Sequence, residues 1–298
     1  MAPALRIDNL SKSYSGIAAL DNFSLIVEPG SVYGILGPNG SGKTTTLGII
    51  LGVLRPDSGT WQWFGNPPSA RSRKRIGPLL EKPNFFPYLS AEKNLMISAR
   101  IKGVGYHHID EVLESAGLAD RKHSPFYTYS LGMKQRLALA STLLGDPDVL
   151  VLDEPTNGLD PGGIYEVRSL IREVASRGKT IIMASHMLDE IEKVCTHVAI
   201  LKKGRKLTGG TTREILSSQD TLEIAAADLD LLHRLLSGTR GVTDISRDND
   251  RLTASLADEV DVAELNAMLV QKGVKPHHLL RRKQTLESHF MEITRGLQ

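Results

Sequence analysis

A chain of 298 residues, 41% hydrophobic and 23% charged, is long enough and apolar enough to bury a full core in one or two domains. Lys plus Arg number 36 against 34 for Asp plus Glu, and a formal charge of +2 is too small to point by itself to nucleic acid. The single cysteine, Cys195, excludes an intrachain disulfide and fits a reducing compartment, with a buried structural thiol the plainer reading than a reactive one. The opening residues lack a signal-peptide core, and no window reaches the ~18 consecutive apolar residues of a membrane-spanning helix. A cytosolic protein is expected, held at any membrane by something else.

Over residues 4–35 the sequence predicts short strands separated by turns. "ALRIDNL" alternates apolar and polar, and "FSLIVEPGSVYGIL" reads as strand, turn at Pro29-Gly30, strand. "TLGIILGVL" is apolar on a helical period, and "GTWQWFG" alternates between glycines as a strand does. "LLEKPNFFPYLS", Leu79–Ser90, places Glu81 before Phe85, Phe86 and Tyr88, and its prolines exclude both a strand interior and a helix. Residues 91–145 read as mostly helical. "DVLVLDEP" is a buried strand, a helix covers about Gly162–Ser176, "TIIMASH" is a second buried strand, "MLDEIEKVC" a helix and "HVAILKKGRKL" a hairpin-like pair. This alternation predicts a parallel sheet covered on both faces. Composition shifts after about Ser218, where strand, helix, strand, strand, helix, strand predicts a small α+β unit of ferredoxin-like order, closed by an amphipathic helix over "TLESHFMEITRGL".

Gly37–Thr44, "GPNGSGKT", fits G-x-x-x-x-G-K-[ST], with a strand before it and a helix after it, the context that makes this pattern a phosphate loop. Gly37, Pro38, Asn39, Gly40, Ser41 and Gly42 would curl around phosphate oxygens. Lys43 would reach the β- and γ-phosphates, the Thr44 hydroxyl would ligate Mg²⁺, and Thr45 closes the binding segment at the helix N-terminus. A mere glycine turn does not account for Lys43. In "VLVLDEP" Asp153 stands where four apolar residues stop, and Glu154 follows it. One carboxylate can organise a metal beside the phosphates while the next polarises water. Two solvated acids at a strand end is the bland alternative. "YSLGMKQR", Tyr129–Arg136, adds a Ser-x-Gly turn opening a helix whose N-terminus can face an anion.

With that last motif the chain resembles, over about residues 4–215, the ATP-binding subunits of ABC transporters. The resemblance implies an α/β P-loop NTPase of ABC type, with a small antiparallel β subdomain and a helical subdomain over about 82–146. The ATP-binding domain would span 1–218 and a C-terminal α+β extension 219–298. It makes Gly37–Thr44 the Walker A motif and Val149–Glu154 the Walker B motif. It stacks Tyr14 on adenine, sets Asp160 of "NGLDP" in the D-loop, and makes His186 of "ASHMLDE" the switch that senses the γ-phosphate. A strand-capping histidine is the alternative for His186. Glu154 and His186 would be the catalytic residues, and Thr44, Asp153 and Glu81 the metal ligands. Glu81 stands where the family carries a glutamine, and its carboxylate keeps an oxygen for Mg²⁺. The signature is usually LSGGQ. Here Leu131 and Met133 replace a glycine and the glutamine, while Ser130 and Gly132 keep the hydroxyl and backbone N–H for phosphate.

The implied activity is hydrolysis of ATP with Mg²⁺. It would power export through a separate membrane permease, because "YSLGM" and a C-terminal extension resemble drug, antibiotic-peptide and multidrug-type exporters. The expected partners are that permease and a second ATP-binding subunit in a head-to-tail homodimer at the cytoplasmic face of the membrane, with no nucleic acid. Two other readings compete. A non-transport ABC ATPase of ribosomes or DNA usually carries paired nucleotide domains or coiled-coil insertions, and neither is found here. A P-loop kinase or GTPase does not explain "YSLGM", "NGLDP" and His186.

Overall fold

The structure is a computed structural model describing residues 2–80, 84–216, 220–257, 259–282, 285–287 and 290. Glu81 and most of the segment predicted as the final amphipathic helix lie outside the described residues. The chain divides into two compact units, Met1–Thr211 and Thr212–Gln298.

In the first unit, β1 (Leu5–Tyr14) and β2 (Ile17–Val27) form an antiparallel hairpin. Ser15 (φ 48°) and Gly16 (φ 84°) supply the left-handed pair that a two-residue turn requires. These strands are 10 and 11 residues long, not the short strands predicted. Asn9 (φ 52°) and Asn22 (φ 51°) adopt the left-handed conformation that asparagine tolerates, and register shifts interrupt the pairing of β1 with β2 between Ile7 and Leu10 and on to Ser13. Such breaks in alternation make one kinked strand read as two.

The chain continues through β3 (Val32–Leu36), α1 (Lys43–Ile50), β4 (Ser58–Trp63), α2 (Ala70–Lys74) and β5 (Ile76–Leu79). The helical region follows, with α3 (Ala91–Lys102), α4 (Ile109–Ser115) and α5 (Leu131–Leu143). Then come β6 (Val149–Asp153), α6 (Pro161–Ser176), β7 (Thr180–Ser185), α7 (Leu188–Val194), β8 (His197–Lys202) and β9 (Arg205–Thr211). The small sheet has the order β2-β1-β4 and the large one β5-β6-β7-β3-β8-β9. All pairs of the large sheet are parallel except β8 with β9. β3, β6 and β7 are buried along their whole length, as strands covered on both faces must be. β5 sits at the sheet edge, which is where Pro78 is tolerated. Phe23, Trp63, Ile35 and Ile49 belong to one core in which the small sheet, the large sheet and α1 meet. The indole N–H groups of Trp61 and Trp63 both donate to the Ile50 carbonyl, at 3.2 and 2.8 Å, and satisfy the end of α1.

The second unit opens with α8 (Thr212–Leu216), ahead of the composition shift. It continues β10 (Asp220–Ala225), α9 (Leu229–Ser237), β11 (Val242–Asp248), β12 (Arg251–Leu256), α10 (Val262–Gln271) and β13 (His278–Arg282). The sheet order is β11-β12-β10-β13 with every pair antiparallel. This is a split βαβ arrangement. Its separate core includes Leu222 and Ile224 of β10, Leu232 and Leu236 of α9, and Leu265 and Leu269 of α10.

Candidate functional site

Three neighbouring strands of the large sheet, β6, β7 and β3, end side by side. Asp153 pairs with Ala184 and Leu36 with Ser185, so the chain leaves all three strands at one level. Crevices at the carboxyl ends of such strands are where α/β sheets bind ligands. The loop Gly37–Gly42 leaves β3, Glu154 leaves β6 and His186 leaves β7.

The loop is held tightly. A Cβ on Gly37 would lie 2.3 Å from the Leu201 carbonyl and 2.6 Å from Ser41 Oγ. Gly42, at φ 106°, would place one 2.4 Å from the Ala19 carbonyl of β2. Neither position accepts a side chain, which is the physical reason for glycine at both. Pro38, Asn39 and Gly40 are exposed, while Ser41, Gly42 and Lys43 are buried. The Lys43 ammonium donates to the Gly37 carbonyl at 2.8 Å and to the Pro38 carbonyl at 3.3 Å, across the turn of the loop.

Lys43 also faces Glu154, with Nζ 3.5 Å from Oε1. The other carboxylate oxygen, Oε2, lies 2.8 Å from His186 Nδ1. It is also 3.4 Å from the His186 backbone nitrogen and from Ser185 Oγ. Glu154 is thus held between a cation and an imidazole. Its backbone has φ 46°, costly for a branched-free but bulky side chain, and its N–H is anchored to the Ala184 carbonyl at 2.9 Å. Ser185 is fully buried and accepts from the Met187 N–H at 3.0 Å, which fixes the backbone on both sides of His186. The sequence reading missed Ser185, and its place between a buried strand and His186 was the available signal.

Thr44, exposed on the first turn of α1, and Asp153, buried at the end of β6, offer a hydroxyl and a carboxylate. These are hard oxygen donors of the kind Mg²⁺ takes one or two at a time beside substrate phosphates. Among the described residues no group of three or more His, Cys, Asp or Glu could hold a metal. That donor set suits an ion arriving with phosphates rather than a dedicated protein cage. Thr45, half-buried, follows on the same turn.

Tyr14 ends β1 and is 45% exposed, with Lys12 Nζ 5.5 Å from its ring centroid. Its partner Ile17 begins β2, the strand whose Ala19 carbonyl packs against Gly42. The aromatic ring therefore belongs to the hairpin beside the phosphate loop.

Ser130, Gly132 and Asp160 form a second group, around the starts of α5 and α6. Ser130 caps α5, its hydroxyl accepting from the Met133 N–H at 3.2 Å. Asp160 caps α6, its carboxylate accepting from the Gly163 N–H at 2.8 Å, with Pro161 at the first helical position. A Cβ on Gly132 would lie 3.7 Å from Gly163 Cα, and one on Gly158 would lie 3.6 Å from Leu131 Cδ2. Leu131, a departure from the usual signature, thus packs beside the loop that precedes α6.

The aromatic loop divides. Phe85 packs edge-on against Phe126 with centroids 5.2 Å apart, whereas Phe86 and Tyr88 are 46% and 71% exposed. Asn94, buried in α3, holds the loop in shape. It accepts from the Phe86 N–H at 2.8 Å and donates to the carbonyls of Phe86, Leu89 and Ser90. Tyr127, also exposed, joins the same surface through its N–H to the Pro87 carbonyl at 2.9 Å.

The family described as ABC transporter matches residues 20–157. YhcH of Bacillus subtilis, an uncharacterised ABC transporter ATP-binding protein, is 38% identical over 99% of this chain and 97% of its own. The bacitracin transport ATP-binding protein BcrA of Bacillus licheniformis is 35% identical over 99% of both chains. The Nod factor export ATP-binding protein I of Burkholderia thailandensis is 35% identical over 96% of this chain and 95% of its own. Among solved structures, cbiO1 from Clostridium perfringens, part of the ABC transporter complex cbiONQ, is similar at a TM-score of 0.67 and 29% identity, covering 80% of this chain and 96% of that one. Relatives alike over nearly the whole chain, joined to a phosphate loop, Glu154 and His186 at the ends of adjacent strands, make this chain a member of the ABC transporter ATP-binding subunits, ATPases that power transport.

Proposed function

We propose that the chain binds Mg-ATP on the loop Gly37–Thr45, hydrolyses it with Glu154 as the catalytic carboxylate, and drives export by a separate membrane permease from the cytoplasmic face. The observation that carries this reading is the Glu154 carboxylate held between Lys43 and His186. Glu154 is poised to take a proton from the water that attacks the γ-phosphorus, as the bond to the β-phosphate oxygen breaks. His186, on the same carboxylate, aligns it and senses the phosphate. Lys43 meets the β- and γ-phosphates. Thr44 and Asp153, with Glu81, would hold Mg²⁺, which neutralises phosphate charge when bound. Ser130, Gly132 and Asp160 serve the nucleotide of a second copy in a head-to-tail pair, which fits helix starts whose caps Ser130 and Asp160 are exposed together with Leu131, Pro161 and Gly162. Export is favoured by the relatives, two of which are bacitracin transport and Nod factor export proteins. Residues 219–298 are an accessory unit to the ATP-binding domain 1–218.

Tyr14 stacks on adenine in this reading. Any aromatic ring serves, so Tyr14→Phe keeps ATP affinity while Tyr14→Ala loses on the order of 1 kcal/mol. Equal affinity of the two variants by calorimetry rules out the stack.

Phe86 and Tyr88 are the anchors offered to the permease, as exposed aromatics on a loop braced by Asn94. Affinity capture of the full chain from detergent-solubilised membranes should recover a polytopic membrane protein, and the recovery should drop when both residues are replaced by alanine. Ribosomes or DNA in its place would contradict the transport reading.

A further inference from the structure

Side-chain links run across α5, α6 and α7. Arg136 of α5 meets Glu166 of α6, with Nε 3.2 Å from Oε2. Arg168 of α6 reaches Glu190 of α7, with Nη1 3.3 Å from Oε1. One turn further along α6, Arg172 donates from Nη2 to the Lys193 carbonyl at 2.5 Å, near the end of α7. α6 therefore grips α7 at both ends. α7 begins two residues after His186, so where α7 sits decides where the imidazole sits.

The Arg168–Glu190 pair is an unusual way to join two helices. The Glu190 side chain is 4% exposed and that of Arg168 16%. Arg168 Nε and Glu190 Oε2 are buried with no hydrogen-bond partner among the described residues. The buried Glu190 carboxylate thus meets the half-buried Arg168 guanidinium at 3.3 Å, while that guanidinium also lies 5.6 Å from the Tyr165 ring centroid. A buried pair so incompletely satisfied adds little net stability, and apolar residues of similar volume serve stability as well or better. What it does supply is location. Moving α7 away from α6 would leave the buried Glu190 carboxylate without its cation.

We infer that Arg168 and Glu190 are positioning residues that set His186 against Glu154 through α7. The inference rests on the catalytic reading of Glu154 and His186. The contact they maintain is the one between His186 Nδ1 and Glu154 Oε2, at 2.8 Å. Because α6 starts at the Asp160 cap, the same pair links the loop before α6 to His186. A displacement of about 1 Å at a reacting group is enough to lower turnover by on the order of 10²-fold.

The test uses the full chain and the paired replacement Arg168→Met with Glu190→Leu, which removes both charges together and leaves neither buried alone. The melting temperature should stay level or rise, ATP affinity should hold, and kcat should fall about tenfold or more with KM unchanged. A cycle with His186→Ala then separates positioning from general damage. If the pair acts through His186, adding the paired replacement to His186→Ala lowers kcat no further. Parent kcat in the paired variant overturns the inference, as does a loss that adds in full to that of His186→Ala. Where His186→Ala is impaired and the paired variant is not, only the positioning role fails. Where His186→Ala turns over at the parent rate, the catalytic reading fails and the inference with it. Should the paired variant melt below the parent, Arg168→Lys takes its place in the same cycle: it keeps the charge but moves the point of contact, so kcat should fall with KM unchanged, and parent kcat overturns the inference.

Discussion

Glu154→Gln should bind ATP as the parent does and hydrolyse it about 10² to 10⁴ times more slowly, the usual range for loss of a general base. Glutamine has nearly the shape of glutamate, and its amide oxygen can still accept one hydrogen bond at the place now 2.8 Å from His186 Nδ1. It cannot accept the proton of an attacking water. It also removes the negative charge that stands 3.5 Å from the Lys43 ammonium. The expected loss corresponds to roughly 3–5 kcal/mol of barrier, far more than a change of packing at a side chain already 21% exposed would produce. Phosphate release by the full chain with Mg²⁺ measures it. Turnover at the parent rate would remove Glu154 from the chemistry.

Lys43→Ala should weaken ATP binding by about 10- to 100-fold, as expected for one charge-assisted contact of about 1.5–3 kcal/mol, and should bring turnover close to background. Lys43 is 5% exposed, and its ammonium bridges the carbonyls of Gly37 and Pro38 to Glu154. A cation for the proposed phosphate contact is therefore already held at the loop. The substitution also leaves those carbonyls and the Glu154 carboxylate without their cation, so the loop loses order before ligand arrives. Calorimetry showing unchanged ATP affinity, together with unchanged turnover, would contradict the assignment.

The parts of the molecule legible in its sequence are those where chemistry and geometry are local. The phosphate loop is a contiguous pattern between a strand and a helix, and only glycine fits Gly37 and Gly42. Asp153 and Glu154 stand at the end of an apolar run because a buried strand must emerge at charged residues. The helix expected from about Gly162 starts one residue earlier, at Pro161, behind the Asp160 cap. Other features depend on partners distant in sequence. The lengths of β1 and β2 were hidden by bulges at asparagines whose left-handed backbone no periodicity records. Asn94 is one polar residue in a helical pattern until the loop around Phe86 folds back on it. The division of "NFFPYL" into a half-buried Phe85 and exposed Phe86 and Tyr88 follows from Phe126, some forty residues away in the chain. Nothing local marks Arg168 or Glu190, and the contact that encloses Glu190 forms only where α6 meets α7.

In the proposed function, ATP held by Lys43 brings two copies together before Glu154 cleaves it. Sedimentation of the Glu154→Gln chain, with and without Mg-ATP, tests this most directly, because the variant should bind nucleotide without consuming it. The account predicts a monomer without nucleotide and a dimer with it, and no dimer when Lys43→Ala is added. A Glu154→Gln chain that stays monomeric at saturating Mg-ATP would contradict it.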